Sequence, residues 1–225
     1  MEQTRQFVIF GNFTKINFEN LNKFAVFKEK YSFQIDAQPD MPNILVNQPV
    51  VQNNVQIRPV FKTADNNTII FFGSSRIHIE QVNSTIDSYN DFNHLALELV
   101  FTICSQFELS INRLAINGTL IVRDTDKINS LYKMFFNENK IFTPNSDEWQ
   151  FRVNDKEFIE KINSDVNKII FLNRAKINDS NNLSDLLTIS YDYNTQVNLK
   201  NNFQSNQIND FNVLALEYRN KIINL

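Results

Sequence analysis

Eight residues recur almost unchanged half a chain apart. Asp91-Phe92-Asn93-His94-Leu95-Ala96-Leu97-Glu98 returns as Asp210-Phe211-Asn212-Val213-Leu214-Ala215-Leu216-Glu217, seven of the eight identical in a chain of 225 residues. A repeat at that distance predicts two copies of one structural unit. Around the first copy, Phe92, Leu95, Ala96, Leu99, Val100 and Ile103 follow the i, i+3, i+4, i+7 spacing of an amphipathic helix, and around the second Phe211, Leu214, Ala215, Tyr218 and Ile222 do the same. Asp91 and Asp210 are expected at the starts of these helices, where a short carboxylate accepts a backbone N–H and offsets the helix dipole.

What precedes each helix also repeats. Val55 to Lys62, Thr68 to Phe72 and Arg76 to Val82, broken at Ala64 to Asn67 and at Gly73-Ser74, predict three antiparallel strands joined by short turns. Val166 to Lys176, a polar turn over Asn178 to Ser184, and Leu186 to Tyr193 repeat the strand, turn, strand order before the second helix. The expected fold is α+β: a duplicated antiparallel β-meander plus a covering helix, its two halves related by a pseudo-twofold. The halves are divided at residues 1–116 and 117–225 and fuse into one globular unit. Asn117-Gly118, flanked by Leu114, Ile116, Leu120 and Val122, carries the hairpin signature. Asp124 to Phe136 predicts a further helix, capped by Asp124 or Thr125, and Phe18 to Phe27 another. Four of the five prolines fall in Gln38 to Pro59, which predicts a long exposed loop. Sheets of this kind leave edge strands, so the halves should join edge to edge or the chain should form a homodimer.

Composition excludes several kinds of chemistry. The three glycines, Gly11, Gly73 and Gly118, cannot build a dinucleotide fingerprint or a phosphate loop, and no cofactor is expected. Two histidines, His78 and His94, with the single Cys104, do not make a zinc ligand set, and no metal is expected. One cysteine in an apolar helix predicts no disulfide and a reducing compartment. The apolar run Phe7 to Phe10 is too short for a signal core or a membrane span, so the expected location is cytoplasmic, with no membrane partner. A net charge of −3 and interleaved Lys and Glu argue against nucleic acid. The 21 Phe are core material first.

Phe61, Thr63 and Asp65 on one strand, Gly73, Arg76 and Ile77 at the following turn, and the closing helix at Asp210-Phe211 resemble a sporadically distributed bacterial protein family that has no assigned reaction. The resemblance spans about a third of the chain. It implies the meander-and-helix fold and a bacterial origin, and transfers no catalytic residue. Gly73 is expected to supply a backbone conformation that other residues disfavour, and Arg76 to reach an acidic or carbonyl partner across the turn.

The functional expectation is a non-enzymatic binding or adaptor protein. It would recognise a peptide, protein or small-molecule ligand through the groove between the halves and the Pro-rich loop, with Arg76, His94 and Arg58 as ligand-binding residues and no catalytic residue. Two alternatives stand beside it. One is an accessory or immunity protein of a toxin or phage-defence system. The other is a metal-dependent nuclease using Asp40 with Glu138 and Lys140.

Overall fold

A computed structural model describes residues 2–40, 56–82, 89–136, 148–179, 182–197 and 202–225. The strands are β1 (Glu2–Gly11), β2 (Gln34–Pro39), β3 (Ile57–Lys62), β4 (Thr68–Phe72), β5 (Arg76–Val82), β6 (Ile111–Val122), β7 (Trp149–Ile159), β8 (Ser164–Asp179) and β9 (Asn182–Thr195). The helices are α1 (Ala25–Tyr31), entered through a 3-10 turn at Phe18–Phe24, α2 (Tyr89–Phe107), α3 (Thr125–Phe136) and α4 (Ser205–Ile223). All nine strands join one antiparallel sheet in the order β2-β3-β4-β5-β1-β6-β9-β8-β7. The architecture is α+β, and β1 pairs with β6 in the interior of this single sheet.

The register assigns every residue to a face, because successive side chains alternate across a strand. Phe7 lies opposite Ile79 and Ile116, and Ile9 opposite Ile77 and Leu114. All four helices pack on this face. Phe211 of α4 meets Phe7 edge-on at 6.4 Å, and the Arg5 guanidinium lies 5.0 Å from the ring centre of Phe92 in α2. Phe24 and Phe27, at the start of the α1 segment, pack on Phe61 and Phe72, while α3 sets Tyr132 and Phe136 against Trp149 and Phe151. Among the described residues no helix covers the other face.

Several sequence expectations change. Asn117-Gly118 is not a hairpin: both residues sit within β6, paired on both sides. Gly118 lies opposite Tyr191, and a Cβ there would stand 2.5 Å from the Tyr191 hydroxyl, so the glycine makes room for a tyrosine on the neighbouring strand. The 116/117 position therefore falls inside a continuous strand. Asp210 is not at a helix start either. α4 begins five residues earlier, at Ser205, with a reciprocal pair of hydrogen bonds between Gln204 and Gln207 as its cap, and Ile208 extends its buried side. Gly73 has no positive φ; a Cβ there would lie 2.9 Å from both the Arg76 carbonyl and the Phe71 ring, so its role is close approach. The expected loop over Gln38 to Pro59 is strand at both ends, in β2 and β3, and residues 41–55 lie outside the described residues.

Candidate functional site: the open face of the sheet

The open face carries Arg76, His78 and Glu80 of β5, Gln6, Val8 and Phe10 of β1, Arg113, Ala115 and Asn117 of β6, and Asp192 and Asn194 of β9. These residues form cross-strand rows. Arg76 and Arg113 flank Phe10, with the Arg113 guanidinium 4.7 Å from its ring centre. His78, Val8, Ala115, Asn194 and Asn167 make the next row, and Asn167 donates to Asn194 Oδ1 at 3.0 Å. Glu80, Gln6, Asn117 and Asp192 make the third.

Two titratable groups on this face, Asp192 and His78, are shifted by burial. Burial pushes the Asp192 carboxyl up, against the opposing pull of the Asn194 amide and the Arg113 charge. Its Oδ1 is buried and has no hydrogen-bond partner among the described residues. His78 is pulled down to about 4, first by burial and then by the Arg76 charge, so its imidazole is neutral near pH 7. Its Nε2 stands 3.9 Å from Glu80 Oε2, and its ring stacks on Phe71 with centroids 5.2 Å apart.

The three residues expected to bind a ligand are not brought together. Arg76 is half-buried on the open face. His94 is exposed on α2, within the helix layer that packs on the opposite face. Arg58 is 1% exposed and satisfied within the fold: its Nε donates to Asp40 Oδ2 at 3.1 Å, its Nη1 to the carbonyls of Thr14 and Ile16, and its Nη2 to Gln56 Oε1. Asp40 also accepts from the Ser74 backbone N–H, which makes it a fold-stabilising carboxylate. Glu138 and Lys140 lie outside the described residues. Among the described residues no three His, Cys, Asp or Glu side chains gather as a metal site, and no helix is long and apolar enough to cross a membrane. Burial raises the Cys104 thiol to about 11, which keeps it unreactive.

Sequence reasoning weighed His78 only as a zinc ligand and passed over Asp192 and Asn194. Their only signal is position: each is a polar residue alternating with buried ones, as Asp192 does between Tyr191 and Tyr193. Any solvent-facing strand gives the same signal. Compared with known proteins, the chain matches no family model and no curated protein.

Proposed function

We propose that the chain is a non-catalytic binding or adaptor protein, built from two related halves, that engages its ligand on the open sheet face where the halves meet. The observation that carries this reading is the central patch itself: arginine, histidine, aspartate and asparagine side chains held half-buried or buried on a sheet face over which no described helix packs. A face with no role beyond solubility is normally covered by flexible, well-hydrated side chains.

Relation of the halves by a pseudo-twofold is part of the proposal. Element order supports it: β1, α1, β3, β4, β5, α2 runs parallel to β6, α3, β7, β8, β9, α4, with β2 as an addition to the first series. The strand order on either side of the β1–β6 pair mirrors itself accordingly. The repeated octapeptides support it further. Phe92, Asn93 and Ala96 are buried and His94 exposed, as are Phe211, Asn212, Ala215 and Val213. Matching Gly11 to Gly118 matches Val8 to Ala115, and those two are directly paired, so the axis would pass between them. A cavity of about 490 Å³ between the β1–α1 connection and the end of α2 has a counterpart of about 250 Å³ between the β6–α3 connection and the end of α4. In this reading the junction belongs at 108–110, ahead of β6.

Native mass spectrometry of protein isolated from its host tests the functional proposal. The expected result is a retained ligand or partner that N117A/N194A loses while remaining folded by circular dichroism. Retention unaffected by that variant, or turnover of a nucleic acid that Asp40→Ala abolishes, would contradict the reading.

A further inference from the structure

At the β4–β5 end of the open face, Gln38, Pro39, Phe71, Arg76 and His78 wall a cavity of about 410 Å³, within the range of roughly 300 to 1,000 Å³ for small-molecule sites. Phe71 and His78 lie opposite each other on β4 and β5, and their rings stack with 27° between planes. This makes a flat, rigid wall rather than a collapsible one. Pro39 adds a second apolar side.

Arg76 gives the cavity its charge. Arg5 donates to Gln81, Arg174 pairs with Asp185 at 2.9 Å, and Arg58 is bonded on every nitrogen. The Arg76 guanidinium, by contrast, is half-buried and makes no hydrogen bond or ion pair with any described residue. Its planar fork is the geometry that carboxylates and phosphates take in bidentate fashion. Around His78 the groups that face it are Arg76 and Glu80 on its own strand, Phe71 and Ile69 on β4, and Val8 on β1 with Gln6 and Phe10 on the diagonals. Arg76 and Glu80 are thus the charged groups on the strands that flank it, and Arg76 alone of the two lines the cavity.

We propose that this cavity binds a small organic anion with a flat unsaturated body, its carboxylate or phosphate held by Arg76 and its ring laid against Phe71, His78 and Pro39. The proposal rests on the binding reading above and names the chemistry of one part of that face.

The two histidines make a direct test, because a chain labelled at histidine gives two ring signals, and exposed His94 serves as the internal reference. The full chain is titrated at about pH 5.5 with benzoate, phenyl phosphate and inorganic phosphate. The free His78 ring is neutral there, and an anion seated on Arg76 favours its protonated form. Benzoate and phenyl phosphate should shift the His78 signal saturably and raise its titration midpoint by about one pH unit or more, leaving His94 unmoved. Inorganic phosphate should act at least about tenfold more weakly, lacking the ring. Arg76→Gln should abolish the response, and Arg76→Lys should keep part of it. Response to phenyl phosphate alone identifies a phosphate monoester, and response to benzoate alone a carboxylate. A silent His78, an equal response in R76Q, or inorganic phosphate matching phenyl phosphate overturns the proposal. If the host-derived ligand is still released by N117A/N194A in that event, the binding reading stands and only the pocket assignment fails.

Discussion

On the helix-covered face β1 presents Arg5, Phe7 and Ile9, and β9 presents Leu187, Ile189, Tyr191 and Tyr193; on the open face the intervening residues of the same strands are Gln6, Val8, Phe10, Thr188, Ser190 and Asp192. The backbone and hydrogen-bond ladder are shared, so the difference lies in what meets the side chains. Aromatic rings dominate the covered face. Phe211 contacts Phe7 and Tyr193, and a second cluster joins Phe24, Phe27, Phe61 and Phe72. Two buried arginines on this face are paired: Arg5 donates to Gln81 and Arg174 pairs with Asp185. On the open face Asp192 Oδ1 and Arg113 Nε are buried without a hydrogen-bond partner among the described residues. Packed aromatic rings on one side and rows of polar side chains on the other divide the sheet into a scaffold face and the face proposed for recognition.

The largest test of that division is on the scaffold. Phe211→Ala and Phe92→Ala, at matched positions of the repeat, should each destabilise by about 3 to 5 kcal/mol in chemical denaturation. A loss under about 1 kcal/mol at either site would mean that its helix does not seal the core. Acid comes next. The folded-state value of His78 lies below its unfolded value of 6.5, so stability is fully present above about pH 6.5 and falls as pH drops toward about 4. The loss is at most about 3 kcal/mol, and His78→Gln should flatten that part of the stability profile. An unchanged profile in the variant would place the imidazole in water.

Gly118→Ala should cost about 1 to 3 kcal/mol through its clash with Tyr191, a scaffold-face effect without any change in polarity. A neutral result would show that the tyrosine ring moves aside freely. Smallest of all, Thr119→Ala on the open face, where the hydroxyl lies 3.4 Å from Ser190 Oγ, should change stability by no more than about 0.5 kcal/mol. A larger loss would assign the open face a share of the fold's stability.

Much of the scaffold face was legible in the sequence. β4 and β5 have the bounds that their turns imply, and α3 starts where Asp124 accepts from the Lys127 N–H at 2.7 Å. α2 and the middles of β8 and β9 follow from apolar periodicity, but the turn expected over Asn178 to Ser184 is mostly paired strand, with Ile177 opposite Ser184 and Asp179 opposite Asn182. Other elements carried no such signal. β7 is an edge strand whose alternation of Trp149, Phe151 and Val153 stops at the polar run Asn154 to Glu157, with Phe158 56% exposed, so the pattern is too short to read. β1 hides half its length because Arg5, a residue expected outside, is fully buried against Phe92. β2 ends at Pro39 in a proline-rich stretch, tolerable there because it is the other edge. Leu95 and Leu214, expected on the core stripe, are half-buried, while Phe92, Ala96, Phe211 and Ala215 form the seal. Of the site, Arg76 was identifiable from its turn. His78, Asp192 and Asn194 were not, because a functional polar residue and an ordinary solvent-facing one look the same until neighbouring strands are placed beside them.

The central claim, that recognition belongs to the open face, is tested most directly by hydroxyl-radical footprinting of the host-derived protein with its ligand retained and after the ligand is stripped. Protection by ligand should concentrate on Phe10, His78 and Phe171, the last lying opposite Ser190 on the open face, with Leu97, Leu216 and Tyr218 of the helix layer reacting equally in both states. Protection confined to those helical residues would contradict the account and move the binding surface to the opposite side of the molecule.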